Sequence, residues 1–167
     1  SAGADKVSIN TAAIIDPDFI KEASNEFGSQ CIVVSIDAKK VDDVYRVFAN
    51  GGSDETNLTP DVLARKVELA GAGEIIINSI DNDGVGRGYD LKLVGMIADA
   101  VNIPVIACGG VGEWDHFSDA FTKTKADAVS AANIFHYRDQ SVYLAKKHLY
   151  DLGLNVRKPD IIKIKKR

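Results

Sequence analysis

The sequence is poor in cysteine and contains no long apolar run. Its two cysteines, Cys31 and Cys108, lie in separate apolar segments without the spacing of metal ligands. We therefore expect reduced, buried thiols and no metal site. No apolar stretch approaches the roughly 20 residues of a membrane-spanning helix. The first ten residues have neither the basic start nor the apolar core of a signal peptide. The expected reduced thiols indicate a cytoplasmic protein.

An excess of positive charge is also lacking. The formal net charge of the 167 residues is -4, which argues against a nucleic-acid-binding surface because that function needs a concentrated basic face. The one basic run closes the sequence, and we expect residues 158–167 to form a solvated basic tail rather than a partner-binding segment. The composition, 46% hydrophobic and 26% charged, is typical of a globular chain, and we place one domain at residues 1–157.

Short β-branched runs alternate along the chain with longer amphipathic runs. This alternation predicts an α/β fold in which a parallel sheet is covered by helices. Asp16, Thr59 and Asp90 are expected to cap helices, two of them followed by proline at the first helical position. Residues 42–58 read as a small hairpin inserted after the second strand. The predicted strands are residues 6–10, 31–37, 74–78, 104–108 and 127–131; the predicted helices are residues 16–27, 59–70, 90–101, 113–122 and 141–152.

One short pattern recurs in the sequence. GADKVSIN at residues 3–10 aligns without gaps on GAGEIIIN at residues 71–78, and KADAVSAAN at residues 125–133 is a weaker copy with one extra residue. Repeated βα units with polar residues at the strand ends suggest a (βα) barrel, and an open doubly wound sheet is the alternative. A complete eight-stranded barrel takes about 250 residues, so five units predict a partial barrel.

Glycines and small polar residues cluster where the last three strands lead into helices. Glycine lets backbone N–H groups converge on an anion, and a following helix N-terminus adds a favourable dipole. Two such loops side by side at the end of a barrel predict a phosphate site; the alternative is that the glycines only make tight turns. The residues concerned are Asp83, Gly84, Gly109, Gly110, Ala132 and Asn133, among which Asp83 is expected to shape its loop beside the substrate.

A carboxylate, Asp37, closes the second predicted strand. If Asp37 faces the barrel interior, it is placed for general acid–base chemistry; the alternative is an aspartate that caps the following turn with Lys39 as its counter-ion. Strand alternation then directs Val34 and Ile36 at the covering helices. The three histidines, His116, His136 and His148, have no partner at metal-ligand or triad spacing, and we expect them to be surface or capping residues.

The repeat also pairs residues at the two ends of the barrel. Lys6 and Glu74 occupy the same position at the starts of the first and third predicted strands. Because alternate strands feed the same interior layer, we expect these two side chains to meet at the N-terminal mouth. By the same parity, Asn10 and Asn78 should lie level with one another at the opposite, reactive mouth.

Taken in order, the motifs KVSINTAA, VVSIDAK, GAGEI, IPVIACGGVG and AANIFH resemble the cyclase subunit of imidazole glycerol phosphate synthase. The resemblance runs from residue 2 to about residue 157. It implies a (βα)8 barrel of histidine biosynthesis, of which this sequence corresponds to strands four to eight, without the first three βα units. It further implies an enzyme that takes ammonia from a glutaminase subunit and converts a diphosphorylated ribotide to imidazole glycerol phosphate and an aminoimidazole carboxamide ribotide.

The resemblance also implies roles for individual residues, without any cofactor or metal. Asp37 corresponds to one of two catalytic aspartates, and the other belongs to the first strand of the family's barrel. Ammonia enters through a ring of charges at the bottom face, where two members match Lys6 and Glu74. One substrate phosphate is held near Asn10 and Thr11, and the other by Gly84, Gly110, Ala132 and Asn133.

Three positions depart from the residues common in the family, where Thr, Arg and Ser stand at Asn78, Asn82 and Asn133. Asn82 replaces a cation beside the bound substrate. Together with the NVRKPD ending, this resembles a branch thought to deliver ammonia for sugar amidation in surface-polysaccharide synthesis, which is the alternative function. A third hypothesis is a non-catalytic half-barrel, stable only as an oligomer or beside another chain, because an open barrel leaves two unpaired strand edges.

Overall fold

A computed structural model describes residues 3–137 and 142–160 of the chain. The part of the predicted basic tail beyond residue 160 lies outside these ranges. The strands are β1 (Val7–Ile9), β2 (Ile32–Val41), β3 (Val44–Ala49), β4 (Asp54–Glu55), β5 (Glu74–Ser79), β6 (Val105–Cys108) and β7 (Ala128–Val129). The helices are α1 (Thr11–Ile15), α2 (Pro17–Phe27), α3 (Pro60–Leu69), α4 (Leu91–Ala98), α5 (Trp114–Lys123), α6 (Ile134–Tyr137) and α7 (Val142–Asp151).

Five strands form a parallel sheet in chain order, β1-β2-β5-β6-β7. A doubly wound sheet reverses its strand order at a switch point and carries helices on both faces. Here the order never reverses, and right-handed crossovers that always step the same way place their helices on one face. Consecutive helices accordingly pack on each other from α2 through α3 and α4 to α5, and α7 packs on α5. The partial-barrel prediction is confirmed.

The predicted excursion after the second strand is a β-hairpin. β2 is longer than expected because its residues 37–41 pair antiparallel with β3, while residues 32–34 pair parallel with β1 along the same edge. Asp42 and Asp43 make the tight turn with φ values of 46° and 65°, a conformation that aspartate tolerates better than most residues. The hairpin continues into β4 and stands above the end of the sheet where β2 carries Asp37.

The two faces of the sheet differ in burial. On β5, Ile75 and Ile77 are fully buried against the helices, whereas Glu74, Ile76 and Asn78 are half-buried on the opposite, interior face. β2 repeats the pattern, with Val34 and Ile36 fully buried and Asp37 half-buried. The predicted parity of the second strand is therefore confirmed, and Asp37 lies on the face that becomes the lumen of a barrel.

The predicted helices agree with the structure to within a few residues at their ends. Asp16 accepts a hydrogen bond from the Asp18 N–H at 3.2 Å, and Asp90 accepts one from the Leu93 N–H at 3.0 Å. Thr59 stands at the N-cap position of α3, but its hydroxyl makes no capping bond. The short helices α1 and α6 and a 3-10 turn at Ser29–Cys31 were not predicted.

Both ends of the parallel sheet are open. Within residues 3–137 and 142–160, β1 pairs only with β2 and β7 pairs only with β6, so the outer edge of each carries no further strand. Apolar side chains are exposed near both ends, including Val7 and Phe27 at the first and Val142 and Leu152 at the last. No helix in the described ranges is long and apolar enough to span a membrane.

Candidate functional site

The carboxylate of Asp37 is held between two asparagines on neighbouring elements. Asn10, directly after β1, donates from Nδ2 to Asp37 Oδ2 at 3.1 Å, and Asn78 on β5 donates from Nδ2 to Asp37 Oδ1 at 3.0 Å. The predicted meeting of Asn10 and Asn78 at the reactive mouth is confirmed. The alternative in which Asp37 caps a turn is wrong, because β2 continues beyond it as far as Val41.

The amide of Asn10 is fixed in one orientation. Its Nδ2 also donates to the Ser35 carbonyl at 2.9 Å, so both of its N–H groups are used. Its Oδ1 accepts from the Thr11 hydroxyl at 3.1 Å, and that hydroxyl accepts from the Asn50 N–H at 2.9 Å. Exchanging the amide's oxygen and nitrogen would oppose the bonds to Ser35 and Asp37, because both of these partners can only accept. The Ser35 carbonyl therefore sets the direction in which Asn10 faces Asp37, while Thr11, supported by the hairpin residue Asn50, holds the oxygen side of the amide.

Asn78 is held less completely. Its Nδ2 bonds to Asp37, but its buried Oδ1 has no hydrogen-bond partner within the described ranges. This oxygen faces the backbone of Gly109, where an added Cβ would approach it to 2.6 Å. Gly109 has a φ of 86°, a region that favours glycine, so both its conformation and its proximity to Asn78 require that residue.

A small depression of about 140 Å³ opens beside Asn78 at the carboxyl ends of β5, β6 and β7. The six residues of the predicted phosphate site line this depression together with Asn78, which was expected at the reactive mouth: Asp83, Gly84, Gly109, Gly110, Ala132 and Asn133. Sequence reasoning did not name the remaining lining residues: Cys108, Val111, Ser130 and Ala131. The sequence offered one indication for them: each lies next to a predicted residue, or close to one, in the same loop or strand end.

The depression offers backbone donors rather than cations. The N–H groups of Gly84, Gly110, Ala132 and Asn133 donate to no other residue in the described part of the chain. Among the lining residues there is no lysine, arginine or histidine. Backbone N–H groups that converge in this way suit an anion, while the exposed Asp83 sets a negative charge at the rim. Burial raises the pKa of the Cys108 thiol, which keeps it protonated in this wall.

Two glycine loops interlock to form one wall of the depression. The Gly88 N–H donates to the Gly110 carbonyl at 2.8 Å, and the Asn82 side chain donates from Nδ2 to the Gly88 carbonyl at 3.0 Å. A Cβ at Gly110 would lie 2.2 Å from the Gly88 carbonyl oxygen, and one at Gly112 would lie 2.2 Å from that of Gly86. The glycines thus serve close loop packing as well as the anion pocket, and Asn82 acts as the side chain that joins the loop ends.

Asp81 has a structural partner outside the depression. Its Oδ2 accepts from the Lys40 N–H at 2.9 Å, which ties the end of β5 to the hairpin side of β2. Asp83 lines the depression, and its side chain is exposed.

At the opposite end of the sheet, Lys6 forms an ion pair with Glu74 as predicted. In the strand register, Val33 of β2 is paired with Ser8 on one side and with Glu74 on the other. Lys6 therefore lies two residues before the position on β1 that is in register with Glu74. A barrel with a shear of 8 over eight strands staggers its rows by about one residue per strand step. Two steps separate β1 from β5, and the pair is therefore level along a barrel axis.

His136 is exposed, as expected, whereas His148 is half-buried. His116 caps the start of α5 through its ring, and His148 Nε2 lies 3.1 Å from Asp115 Oδ1. The part of the chain that the structure describes contains no group of histidine, cysteine and acidic side chains arranged for a metal ion. Both cysteines are free thiols, and both are half-buried, so the prediction that they are buried is wrong.

Comparison with known proteins decides the family. A family described as "Histidine biosynthesis protein" matches residues 1–141. The chain belongs to this family. Among curated relatives, a protein of Hydrogenobaculum sp. (strain Y04AAS1) is 53% identical over 157 residues, covering 93% of this chain and 62% of the relative. A protein of Bacillus licheniformis is 49% identical over 158 residues, covering 93% of this chain and 63% of the relative.

Both relatives carry the name imidazole glycerol phosphate synthase subunit HisF. The chain spans a little under two thirds of the length of these two relatives. The names agree with the resemblance found in the motifs, and neither name supports the alternative of sugar amidation.

Proposed function

We propose that the chain is the part of a cyclase subunit of imidazole glycerol phosphate synthase that carries barrel strands four to eight. One observation supports this most directly: Asn78 belongs to both halves of the candidate site. Its amide nitrogen holds Asp37, and its side chain lines the depression with the free backbone donors. A carboxylate for proton transfer thus stands beside an anion pocket, which is the arrangement that acid–base chemistry on a phosphorylated substrate requires.

Each part of the site takes one task in this proposal. The pocket of Gly84, Gly110, Ala132 and Asn133 holds one phosphate of the diphosphorylated ribotide through backbone N–H groups. Asn10 and Thr11 lie toward the other phosphate. Asp37, with both oxygens accepting from amides, is positioned as a proton acceptor during cleavage and cyclisation. The second catalytic aspartate of the family is not among the 167 residues, so we expect them to be inactive alone.

In this proposal, ammonia enters at the opposite end of the sheet. We assign Lys6 and Glu74 to the gate through which ammonia enters from a glutaminase subunit docked at the N-terminal face of the barrel. The ion pair is partly exposed, with 47% and 23% of the two side chains accessible, and an exposed pair contributes little to stability. A pair that holds weakly can open without unfolding the barrel, as a gate must. Two free cysteines and a biosynthetic reaction are consistent with a cytoplasmic enzyme. We assign it no nucleic-acid or membrane partner.

The proposal is tested with a protein completed to the length of the relatives. It is incubated with the diphosphorylated ribotide and ammonium, and release of the aminoimidazole carboxamide ribotide is followed. We expect ammonium-dependent turnover, with the sample lacking ammonium as control. If the ribotide is not converted while the protein still stimulates a glutaminase, the sugar-amidation alternative replaces the cyclase proposal.

A further inference from the structure

His116 contacts both glycine loops at the phosphate pocket. Its Nδ1 accepts from the Gly112 N–H at 3.1 Å and from the Glu113 N–H at 3.3 Å. The edge of the ring lies against the other loop, since a Cβ at Gly88 would be 3.3 Å from His116 Cδ2. No other side chain described above touches residues from both loops in this way except Asn82.

The position of His116 on α5 explains how it reaches the loop. It is the third residue of the helix, and the Glu113 side chain accepts from its N–H while its ring accepts from the Glu113 N–H. Glutamate or glutamine usually fills this place in a capping box. The imidazole additionally takes the Gly112 N–H, one residue further into the loop. A ring nitrogen accepts only without a proton, so the contacts assign the ring proton to Nε2.

The contacts of the ring continue into the pocket. Gly112 stands two residues after Gly110, which lines the depression, and the Gly110 carbonyl accepts from the N–H of Gly88. The imidazole thus fixes the end of one loop and packs on the residue that joins the two loops. We propose that His116 is a positioning residue for the phosphate pocket: it touches no phosphate, but it holds the loop whose backbone N–H groups do. This inference rests on the proposed phosphate role of the pocket.

The contact itself is tested without any ligand, by amide hydrogen exchange of the 167-residue chain. The Gly112 and Glu113 amides should be protected in the native protein. His116→Leu keeps the bulk but removes the acceptor, and protection of these two amides should be lost. His116→Asn places an oxygen close to the position of Nδ1 and should restore it. Exchange of both amides at the rate of an unstructured peptide in the native protein would overturn the inference, whatever the pocket binds.

The consequence for binding is measured with inorganic phosphate as the probe, by titration followed in the amide spectra of Gly84 and Gly110. Loss of two hydrogen bonds that order the loop should weaken phosphate affinity about tenfold in His116→Leu, with His116→Asn close to the native value. Ser118→Ala is the matched control, because within the described residues this α5 hydroxyl bonds only to the Asp115 carbonyl, at 2.8 Å.

The outcomes separate the two proposals. If the native chain binds phosphate and His116→Leu binds it equally well, the positioning role is wrong and the pocket stands. If the native chain binds no phosphate although the Gly112 and Glu113 amides are protected, the pocket proposal fails, and the positioning role fails with it because nothing is left for the loop to position. Both proposals are supported if amide protection is lost in His116→Leu and restored in His116→Asn, and if the phosphate affinities of the two variants change in the same way.

Discussion

Asp37 is a carboxylate whose two oxygens each accept an amide N–H, one from Asn10 and one from Asn78. The donors differ in rigidity: Asn10 has every polar atom engaged, whereas Asn78 has a buried oxygen without a partner in the described ranges. An unpartnered buried acceptor is unfavourable for folding. We infer that Asn78 is kept for Asp37 and the pocket rather than for stability.

This difference gives a prediction for Asn78→Leu in the completed protein. The substitution removes one donor from Asp37 while conserving size, and a hydrogen bond to a charged group is worth about 1.5–3 kcal/mol. Steady-state kinetics should show kcat reduced roughly 10- to 100-fold. The unfolding free energy of the 167-residue chain should change by less than about 1 kcal/mol, because the orphaned oxygen leaves with the amide.

Asn78→Thr serves as the control, since a hydroxyl can still donate to Asp37, and it should retain most of the activity. A Leu variant as active as the native protein would remove Asn78 from the positioning of Asp37.

At the scale of single residues, the sequence indicated the right positions more often than the right contacts. Parity along β2 placed Asp37 on the interior face, and the repeat paired Asn10 with Asn78. The bond from Thr11 to Asn10 and the N–H from Asn50 that supports it were not predicted. They depend on a hairpin that folds back over the sheet, and no local pattern reports such a contact.

Among the structural elements, the two glycine loops are the most demanding in backbone conformation. Gly110 has a φ of 107° and no room for a Cβ beside the Gly88 carbonyl. Gly95, in the middle of α4, has nothing within 4 Å of an added Cβ. These two glycines therefore form a matched pair for substitution by alanine.

We predict that Gly110→Ala lowers the unfolding free energy by at least about 2 kcal/mol through backbone strain and abolishes phosphate binding. Gly95→Ala should raise the unfolding free energy by about 0.5–1 kcal/mol, because alanine favours the helix interior. Urea unfolding of the two variants measures both effects. Equal stabilities would contradict the interlocked geometry of the loops.

The hairpin holds a half-buried tyrosine, Tyr45, and the loop before α4 holds a buried one, Tyr89. Burial, followed by the hydrogen bond to Asp90 and its charge, raises the pKa of Tyr45, and burial raises the pKa of Tyr89. The Tyr45 hydroxyl donates to Asp90, and the Tyr89 hydroxyl donates to the Ser130 carbonyl at 2.9 Å. The folded state thus keeps both phenols neutral at a pH where the unfolded chain ionises them.

Because the unfolded state binds fewer protons above its tyrosine pKa of about 10, the unfolding free energy should fall as the pH rises beyond that value. Tyr89→Phe should reduce the fall, measured by urea unfolding between pH 8 and 11. The exposed Tyr150 on α7 provides Tyr150→Phe as the control. An identical decline in the native protein and in Tyr89→Phe would show that the phenol does not carry this effect.

Strands and helices with clear periodicity were predicted well, and two departures have identifiable physical causes. β1 is shorter than expected because Asn10 leaves the strand to begin α1, a helix too short to show a period. β2 is longer because pairing with β3 extends it beyond Asp37. The first difference is local, whereas the second arises from pairing with another segment, which the residues of β2 themselves do not indicate.

For the whole molecule, the open sheet dominates the physical behaviour. Its interior face is only half-buried, and both outer edges lack a partner strand within residues 3–137 and 142–160. Open edges and exposed apolar side chains invite association. We predict that the isolated 167-residue chain self-associates, as measured by sedimentation, and that a protein completed to the relatives' length is less associated and more stable. A well-folded monomer of the isolated chain would contradict this.

The central claim is that Asp37 performs acid–base chemistry beside a phosphate pocket. It is tested most directly by ammonium-dependent turnover of the diphosphorylated ribotide in the completed protein carrying Asp37→Asn. General acid–base groups contribute about 10²- to 10⁴-fold, so kcat should fall at least about 100-fold while phosphate affinity is retained. Asp81→Asn is the control, because an amide oxygen still accepts the Lys40 N–H, and its activity should stay near the native value. Turnover by Asp37→Asn at the native rate would contradict the claim.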